Sequence, residues 1–263
     1  MLRQRVSRSR LAAPKSTAPG ERIYAVGDIH GRFDLLRNLL RKIEAHNNGL
    51  PQAENLHVVL LGDVIDRGPH SAKALRFLKD WQHHTQGQVM LQGNHEEMML
   101  RVYEGERRLI APWLRFGGKE TLESFGLEIA DTEDFSDPRL LKQIREALPS
   151  DLMAFVKGWA VTARSGDYFF CHAGVRPRVE LAKQVKNDLI WIREEFLESP
   201  VDHGAMIVHG HSITDQADLR SNRIGIDTGA YRSGILTAVY LEGTERDFIA
   251  VQGTPARPAY ADV

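Results

Sequence analysis

Five short segments place acids, histidines and an amide beside glycine. They are Gly27-Asp28-Ile29-His30-Gly31, Gly62-Asp63-Val64-Ile65-Asp66-Arg67-Gly68, Gly93-Asn94-His95-Glu96, Cys171-His172-Ala173-Gly174 and His209-Gly210-His211. Carboxylate, imidazole and amide oxygen together make a mixed donor set suited to divalent transition metals. The glycines let the backbone turn sharply and leave room for an anion. Any one segment reads as an ordinary turn, because Gly-Asp and Gly-Asn are common turn pairs. Turn chemistry does not explain why the first three recur at the same place after successive apolar runs.

Those runs are the elements that must position the donors. Ile23–Val26, Val58–Leu61 and Val89–Leu91 read as strands ending in Gly-Asp, Gly-Asp and Gly-Asn. Between the first two, Phe33, Leu35, Leu36, Leu39, Leu40 and Ile43 form the apolar face of a helix that Asn47-Asn48-Gly49 and Pro51 terminate. Ala72 to Trp81 reads as a second helix. Strands alternating with helices predict a parallel α/β sheet, whose ligands gather beyond the carboxyl ends of the strands. Residues 95 to about 158 read as largely helical, with breaks at Pro112, Gly117-Gly118, Pro138 and Pro149. Leu109, Trp113, Leu114, Phe116, Leu122 and Phe125 are expected to be the buried face of a helical cap there. Trp113 and Arg115 offer a stacking surface for a base, with simple packing the preferred reading. Tyr168–Cys171, Met206–Val208, Ile224–Ile226, Ile235–Leu241 and Phe248–Val251 are expected to build a second, more antiparallel sheet facing the first.

Composition bounds the function classes. A length of 263 residues suits one sizeable domain. The 34 basic and 35 acidic residues nearly cancel, so the chain has no net attraction for nucleic acid or membrane. No apolar stretch approaches the roughly 18 residues of a membrane span. Cys171 is the single cysteine, which rules out an intrachain disulfide and fits a reducing, cytoplasmic setting. Residues 1–20 hold Arg3, Arg5, Arg8, Arg10 and Lys15, no acid, and no apolar core of a secretory signal. They are expected to be a disordered tail, with at most weak contact to nucleic acid or another anionic surface.

Taken together the motifs resemble those of the calcineurin-like metallophosphoesterases. Within that superfamily they are similar to the phosphoprotein phosphatase branch, with its bacterial and phage serine/threonine phosphatases and symmetrical diadenosine tetraphosphate hydrolases. The resemblance covers about residues 22–241, and its Asp-Arg-Gly and Asn-His-Glu elements are highly specific in combination. It implies an α/β fold of two facing mixed β-sheets flanked by helices, a metallophosphatase sandwich over 21–263 with a helical cap insertion at about 96–158. It also implies that Asp28, His30 and Asp63 bind one metal and Asp63, Asn94, His172 and His211 a second, with Asp63 bridging. The pair would be manganese, or iron with zinc. Two cations ~3.5–4 Å apart lower the pKa of a shared water and polarise phosphoryl oxygens, so a bridging hydroxide can attack in line at neutral pH.

By the same resemblance His95 is the general acid and Asp66 its partner. Independently, an alkoxide leaving group needs a proton, and a carboxylate beside an imidazole fixes its tautomer. The competing readings are a helix cap or a partner of Arg67 for Asp66, and packing under the cap for His95. Arg67 and Arg193 are assigned to the phosphate, Arg193 through the Trp191-Ile192-Arg193 element. A surface ion pair with Glu194 or Glu195 is its bland alternative. His209 is not counted as a ligand, Asp227-Thr228-Gly229 and Tyr231 are assigned to support, and Cys171 to a buried strand.

The leading expectation is a serine/threonine protein phosphatase. A symmetrical diadenosine tetraphosphate hydrolase is the alternative, and tyrosine phosphatase activity a further possibility. An inert fold mate serving as a binding module is the opposing class, and the complete set of ligands, acid and arginines argues against it.

Overall fold

In the computed structural model, which describes residues 14–130 and 138–256, Glu21–Val26 (β1), Asn55–Leu60 (β2) and Gln88–Met90 (β3) are parallel neighbours. The amphipathic helices Phe33–Asn48 (α1) and Ser71–His84 (α2) connect them. A largely helical stretch follows, through Asn94–Glu104 (α3), Ile110–Trp113 (α4), Lys119–Ser124 (α5), Pro138–Ala147 (α6) and Ser150–Lys157 (α7). Thr162–Ser165 (β4) and Tyr168–Cys171 (β5) form a hairpin, and Lys186–Trp191 (α8) and Glu194–Leu197 (α9) lead into Met206–His209 (β6). Asp218–Leu219 (β7), Arg223–Gly225 (β8), Ala230–Ser233 (α10), Ile235–Glu242 (β9) and Glu245–Gln252 (β10) complete the described elements.

The strands form two five-stranded mixed sheets, ordered β10-β9-β1-β2-β3 and β4-β5-β6-β8-β7. Three expectations need correction. Phe116, expected on the buried face of the cap, is 55 % exposed, while Trp113, Leu114 and Leu122 beside it are buried. Ile235–Leu241 and Phe248–Val251 do not face the first sheet; they extend it, β9 pairing antiparallel with β1 and β10 with β9. The second sheet is parallel at its centre, across β5-β6 and β6-β8, and antiparallel only at its edges. The physical reason lies in β9, which is buried on both faces as an interior strand must be. Its Leu236, Ala238 and Tyr240 face the helices, while Val239 and Leu241 face the other sheet.

β1 alternates in the same way. Tyr24 and Val26 point to the helical side, and Ile23 and Ala25 to the layer between the sheets. The helices of the 94–157 stretch share one continuous core with β1, α1 and α2, to which Met98, Trp113, Leu122, Ile144 and Val156 contribute. They therefore pack on the outer face of the first sheet. A third cluster, including Phe169, Cys171, Ile190 and Phe196, fixes α8 and α9 to the outside of the second sheet.

Residues 1–13 of the expected basic tail lie outside the described residues, but its last part is anchored. Thr17 is buried; its N–H donates to Gly243 O at 3.0 Å, and Gly243 N–H returns a bond to Thr17 Oγ1 at 2.8 Å. Ser16 N–H donates to Asp167 Oδ2 at 3.0 Å and Ala18 N–H to Ser165 Oγ at 2.9 Å. The segment thus ties the β9–β10 turn of one sheet to the β4–β5 turn of the other. Among the described residues no helix is long and apolar enough to cross a membrane.

Candidate metal centre

Parallel register brings the ends of β1, β2 and β3 to one edge, where the loops after them carry Asp28, His30, Asp63 and Asp66, and the start of α3 carries Asn94 and His95. The facing sheet contributes His172 after β5 and His211 after β6. All eight are buried, from 0 % exposed at Asp66 and His172 to 6 % at His211. His30, Asp63, Asp66, Arg67 and His211 have φ of 45°, 49°, 72°, 66° and 64°. Side chains rarely adopt that left-handed region, and its cost is sustained where a surrounding network over-determines it. Gly210 shows how close the packing is: a Cβ there would lie 1.9 Å from Asp28 Oδ1.

Glu96 supplies much of that network, and the sequence reading gave it no role. Its carboxylate accepts the N–H groups of Asp63 and Gly93, both at 2.9 Å, and of Val64 at 2.8 Å. One buried acid therefore shapes two of the donor loops. Its place three residues after Gly93, as in a capping box, was the available signal.

The histidine tautomers follow from their partners. His30 Nδ1 lies 2.8 Å from Ile65 O and His172 Nδ1 2.9 Å from Leu61 O. A carbonyl can only accept, so both Nδ1 atoms carry the proton, and in the neutral rings Nε2 is a lone pair. His30 Nε2 then faces Asp63 Oδ2 at 3.6 Å. His172 Nε2 faces Asn94 Oδ1 at 2.9 Å, His211 Nδ1 at 3.2 Å and Asp63 Oδ2 at 3.4 Å. Acceptors converging on one point need a cation or a trapped proton between them. Burial opposes charge on His172, yet Asp63 and Asp28 outweigh it and push its pKa up to about 10. Burial, His172 and Arg193 push His211 down to about 2. Asp63 is buried, but His172, His95 and His30 hold its carboxyl well below the usual range. Burial and the neighbouring Asp227 push Asp28 well above it. Asp63 is common to two groups with metal-binding geometry, one with His172 and His211, the other with His30 and His95. The donor chemistry thus fits divalent cations.

His95 has a different setting from the other rings. Its Nδ1–H donates to Asp66 Oδ2 at 2.7 Å, and its Nε2 lies 3.4 Å from Arg67 Nη2 and 3.8 Å from Asp63 Oδ2. The cap and Arg67 readings of Asp66 therefore give way to the His95 pairing. Asp66 also accepts Trp113 Nε1–H on Oδ2 at 3.0 Å and Thr121 Oγ1–H on Oδ1 at 2.6 Å. Trp113 is fully buried, so it offers no face to a base. Thr121 drew no attention in the sequence, since nothing in its spacing pointed 55 residues back to Asp66. The Arg67 guanidinium stacks over Tyr231 at 4.7 Å, which gives that tyrosine its supporting place.

Arg193 is exposed, and its Nη1–H reaches His211 O at 3.5 Å. Glu195 pairs instead with Arg176 at 2.7 Å, and among the described residues Arg193 forms no ion pair with Glu194 or Glu195. Trp191 anchors this stretch by donating Nε1–H to Glu97 Oε2 at 2.8 Å. His209 faces Gly210 O through Nδ1 and packs against Phe196, away from the ligand cluster. Burial pushes the Cys171 thiol well above its usual range, which leaves it inert as a nucleophile.

This sandwich, with donors from both sheets converging at one edge, is the arrangement of a known class. The calcineurin-like phosphoesterase family model matches residues 21–232, and the chain belongs to that family of enzymes. It is 28 % identical over 225 residues to serine/threonine-protein phosphatase 2 of Escherichia coli K12, covering 82 % of this chain and 90 % of that one. It is 26 % identical over 240 residues to the asymmetrical bis(5'-nucleosyl)-tetraphosphatase PrpE of Bacillus thuringiensis, covering 81 % and 88 %. A symmetrical bis(5'-nucleosyl)-tetraphosphatase of Vibrio parahaemolyticus is 30 % identical over 168 residues, 63 % of this chain and 50 % of that one. In fold, the chain is similar to the crystal structure of a putative diadenosine tetraphosphatase, with a TM-score of 0.62 at 19 % identity over 92 % of this chain and 99 % of that one.

Proposed function

We propose that this chain is a metal-dependent phosphomonoesterase acting on phosphoserine and phosphothreonine in proteins. The observation that carries this reading is the His95–Asp66 pair beside Asp63 and Arg67. A seryl or threonyl alkoxide is a poor leaving group and needs a proton, whereas the phosphate leaving group of an anhydride needs one far less. A buried imidazole held by a carboxylate at 2.7 Å suits the first task. The relative named a serine/threonine phosphatase, aligned over most of both chains, supports the same substrate class.

Asp28, His30 and Asp63 would hold one divalent cation and Asp63, Asn94, His172 and His211 the second, manganese being the leading choice and iron with zinc the alternative. When bound, the pair supplies an activated water and positive charge at the phosphoryl oxygens. Arg67 and Arg193 approach from the solvent side, where guanidinium forks grip two phosphoryl oxygens and orient the ester. His95 faces the same space through Nε2, and in its imidazolium form it would donate the Nε2 proton to the departing oxygen and keep the Nδ1 proton on Asp66. Asp66 keeps Nδ1 protonated, so the ring presents Nε2 alone. The single buried cysteine fits a cytoplasmic setting. Hydrolysis of dinucleoside polyphosphates is the second reading, favoured by the relatives that carry that name.

The deciding experiment loads metal-stripped protein with Mn²⁺ and compares kcat/KM on phosphoserine and phosphothreonine peptides with that on diadenosine tetraphosphate. A clear preference for the peptides is expected. Preference for the dinucleotide overturns that expectation in favour of the second reading.

A further inference from the structure

Asp66 is 0 % exposed and accepts three side-chain donors: His95 Nδ1–H at 2.7 Å, Trp113 Nε1–H at 3.0 Å and Thr121 Oγ1–H at 2.6 Å. Thr121 Oγ1 also accepts the backbone N–H of Asp66 at 2.9 Å, so one hydroxyl grips that residue at both ends. Between Trp113 and Thr121 the chain makes a π-helical turn, Leu114–Gly118, in which Gly117 has φ of 108°. Gly117 O accepts Arg67 N–H at 3.1 Å, and a Cβ on Gly117 would lie 2.6 Å from Arg67 Cγ. A Cβ on Gly118 would lie 2.6 Å from the Trp113 ring. Such turns are rare in helices and are retained where they place something. Here the turn delivers one indole, one hydroxyl and one carbonyl to the Asp66-Arg67 dipeptide.

We infer that Trp113 and Thr121 are positioning residues for proton donation by His95, acting through Asp66, so that the segment 113–121 belongs to the catalytic machinery. The inference rests on reading His95 as the proton donor. With Oδ1 and Oδ2 both engaged, the carboxylate has one orientation, and the imidazole it holds has one direction. Without Thr121 Oγ1 the carboxylate can swing about its own axis, and the hydrogen bond to Nδ1 loses its line. The burial of all three partners makes that loss costly, because water cannot replace the missing donor.

The test compares Thr121→Val, Thr121→Ser and Trp113→Phe with His95→Asn and the parent protein, all loaded with Mn²⁺, on phenyl phosphate and p-nitrophenyl phosphate. Phenolate is the more basic leaving group and depends more on a proton donor. The expected result is a roughly ten- to hundredfold fall in kcat on phenyl phosphate for Thr121→Val and Trp113→Phe, part of the 10²–10⁴ that a general acid supplies. On p-nitrophenyl phosphate the fall stays within about threefold, KM changes little, and Thr121→Ser keeps the parent's profile. A second readout uses metal-free protein. The downfield proton resonance of His95 Nδ1–H is present in the parent and in Thr121→Ser, and is shifted or broadened in the other two. The inference is overturned if Thr121→Val and Trp113→Phe keep the parent's profile and resonance, or lose both substrates equally while Thr121→Ser does the same. His95→Asn separates the two levels. Equal loss on both substrates in that variant removes His95 as donor; selective loss there alone removes only the role of Trp113 and Thr121.

Discussion

Asn94 Oδ1 and His172 Nε2 meet at 2.9 Å, one from the helix that follows β3 and the other from the loop that follows β5 in the opposite sheet. Since His172 Nδ1–H is committed to Leu61 O, the contact is bridged either by a proton on Nε2, which Asp63 and Asp28 favour, or by a metal ion that displaces it. The pair therefore has the electrostatics of a cation site whose two halves belong to different sheets.

Metal should accordingly behave as a cross-sheet tie. Loading stripped protein with Mn²⁺ or Zn²⁺ is expected to raise Tm, with about 4 kcal/mol of stabilisation at a thousandfold excess over Kd. His172→Ala should bind one ion fewer than the parent by elemental analysis. Unchanged stoichiometry would remove His172 from the ligand set.

His95→Asn should keep both ions and still lose roughly 10²–10⁴ in kcat on a phosphoserine peptide. Metal content and turnover are measured on the same preparation. Loss of an ion would place His95 among the ligands, with His30 and Asp63.

Glu96→Gln replaces a carboxylate that accepts four backbone N–H groups, those of Asp63, Val64, Ile65 and Gly93, by an amide with a single acceptor oxygen. Removing buried hydrogen bonds costs about 2–4 kcal/mol, and denaturant unfolding should show a loss of that order. The same variant should bind metal more weakly, because two ligand loops lose their common anchor. A variant as stable as the parent would contradict the role given to this side chain.

A pH effect is expected far from the site. Glu242 accepts Arg22 Nε–H at 2.8 Å, and that bond holds its carboxyl below the ordinary 4.5. A depressed folded value means the stabilisation is present above pH 4.5 and fades as pH falls through the lower folded value. Glu242→Gln should lower stability by about 1 kcal/mol at pH 7, a figure kept small because Glu242 is partly exposed. Parent and variant should converge as pH falls through that lower folded value, and a gap that does not narrow on acidification would exclude the ion pair as its cause.

The donor loops were legible because each follows an apolar run and carries its own glycine, so one strand pattern located Asp28, Asp63 and Asn94 without tertiary information. The sheet that β9 joins was not legible. Its alternation specifies that both faces are buried, and says nothing about which neighbour lies beside it. The partners of Asp66 were hidden for a related reason. The apolar spacing of Trp113 announced burial, while the direction of its N–H depends on a turn that the Gly117-Gly118 pair only hinted at. Glu96 sat in plain view beside His95, yet its hydrogen bonds reach loops more than thirty residues away.

The segment around Thr17 gives the sandwich a fulcrum. It joins Gly243 to Ser165 and Asp167 at the end of the sheets remote from the donor loops. Any splaying about that end would be amplified at the opposite rim, where His172 Nε2 lies 3.4 Å from Asp63 Oδ2. A few residues that tie two turns together would thereby govern, by leverage, how far apart the donors of the two sheets stand.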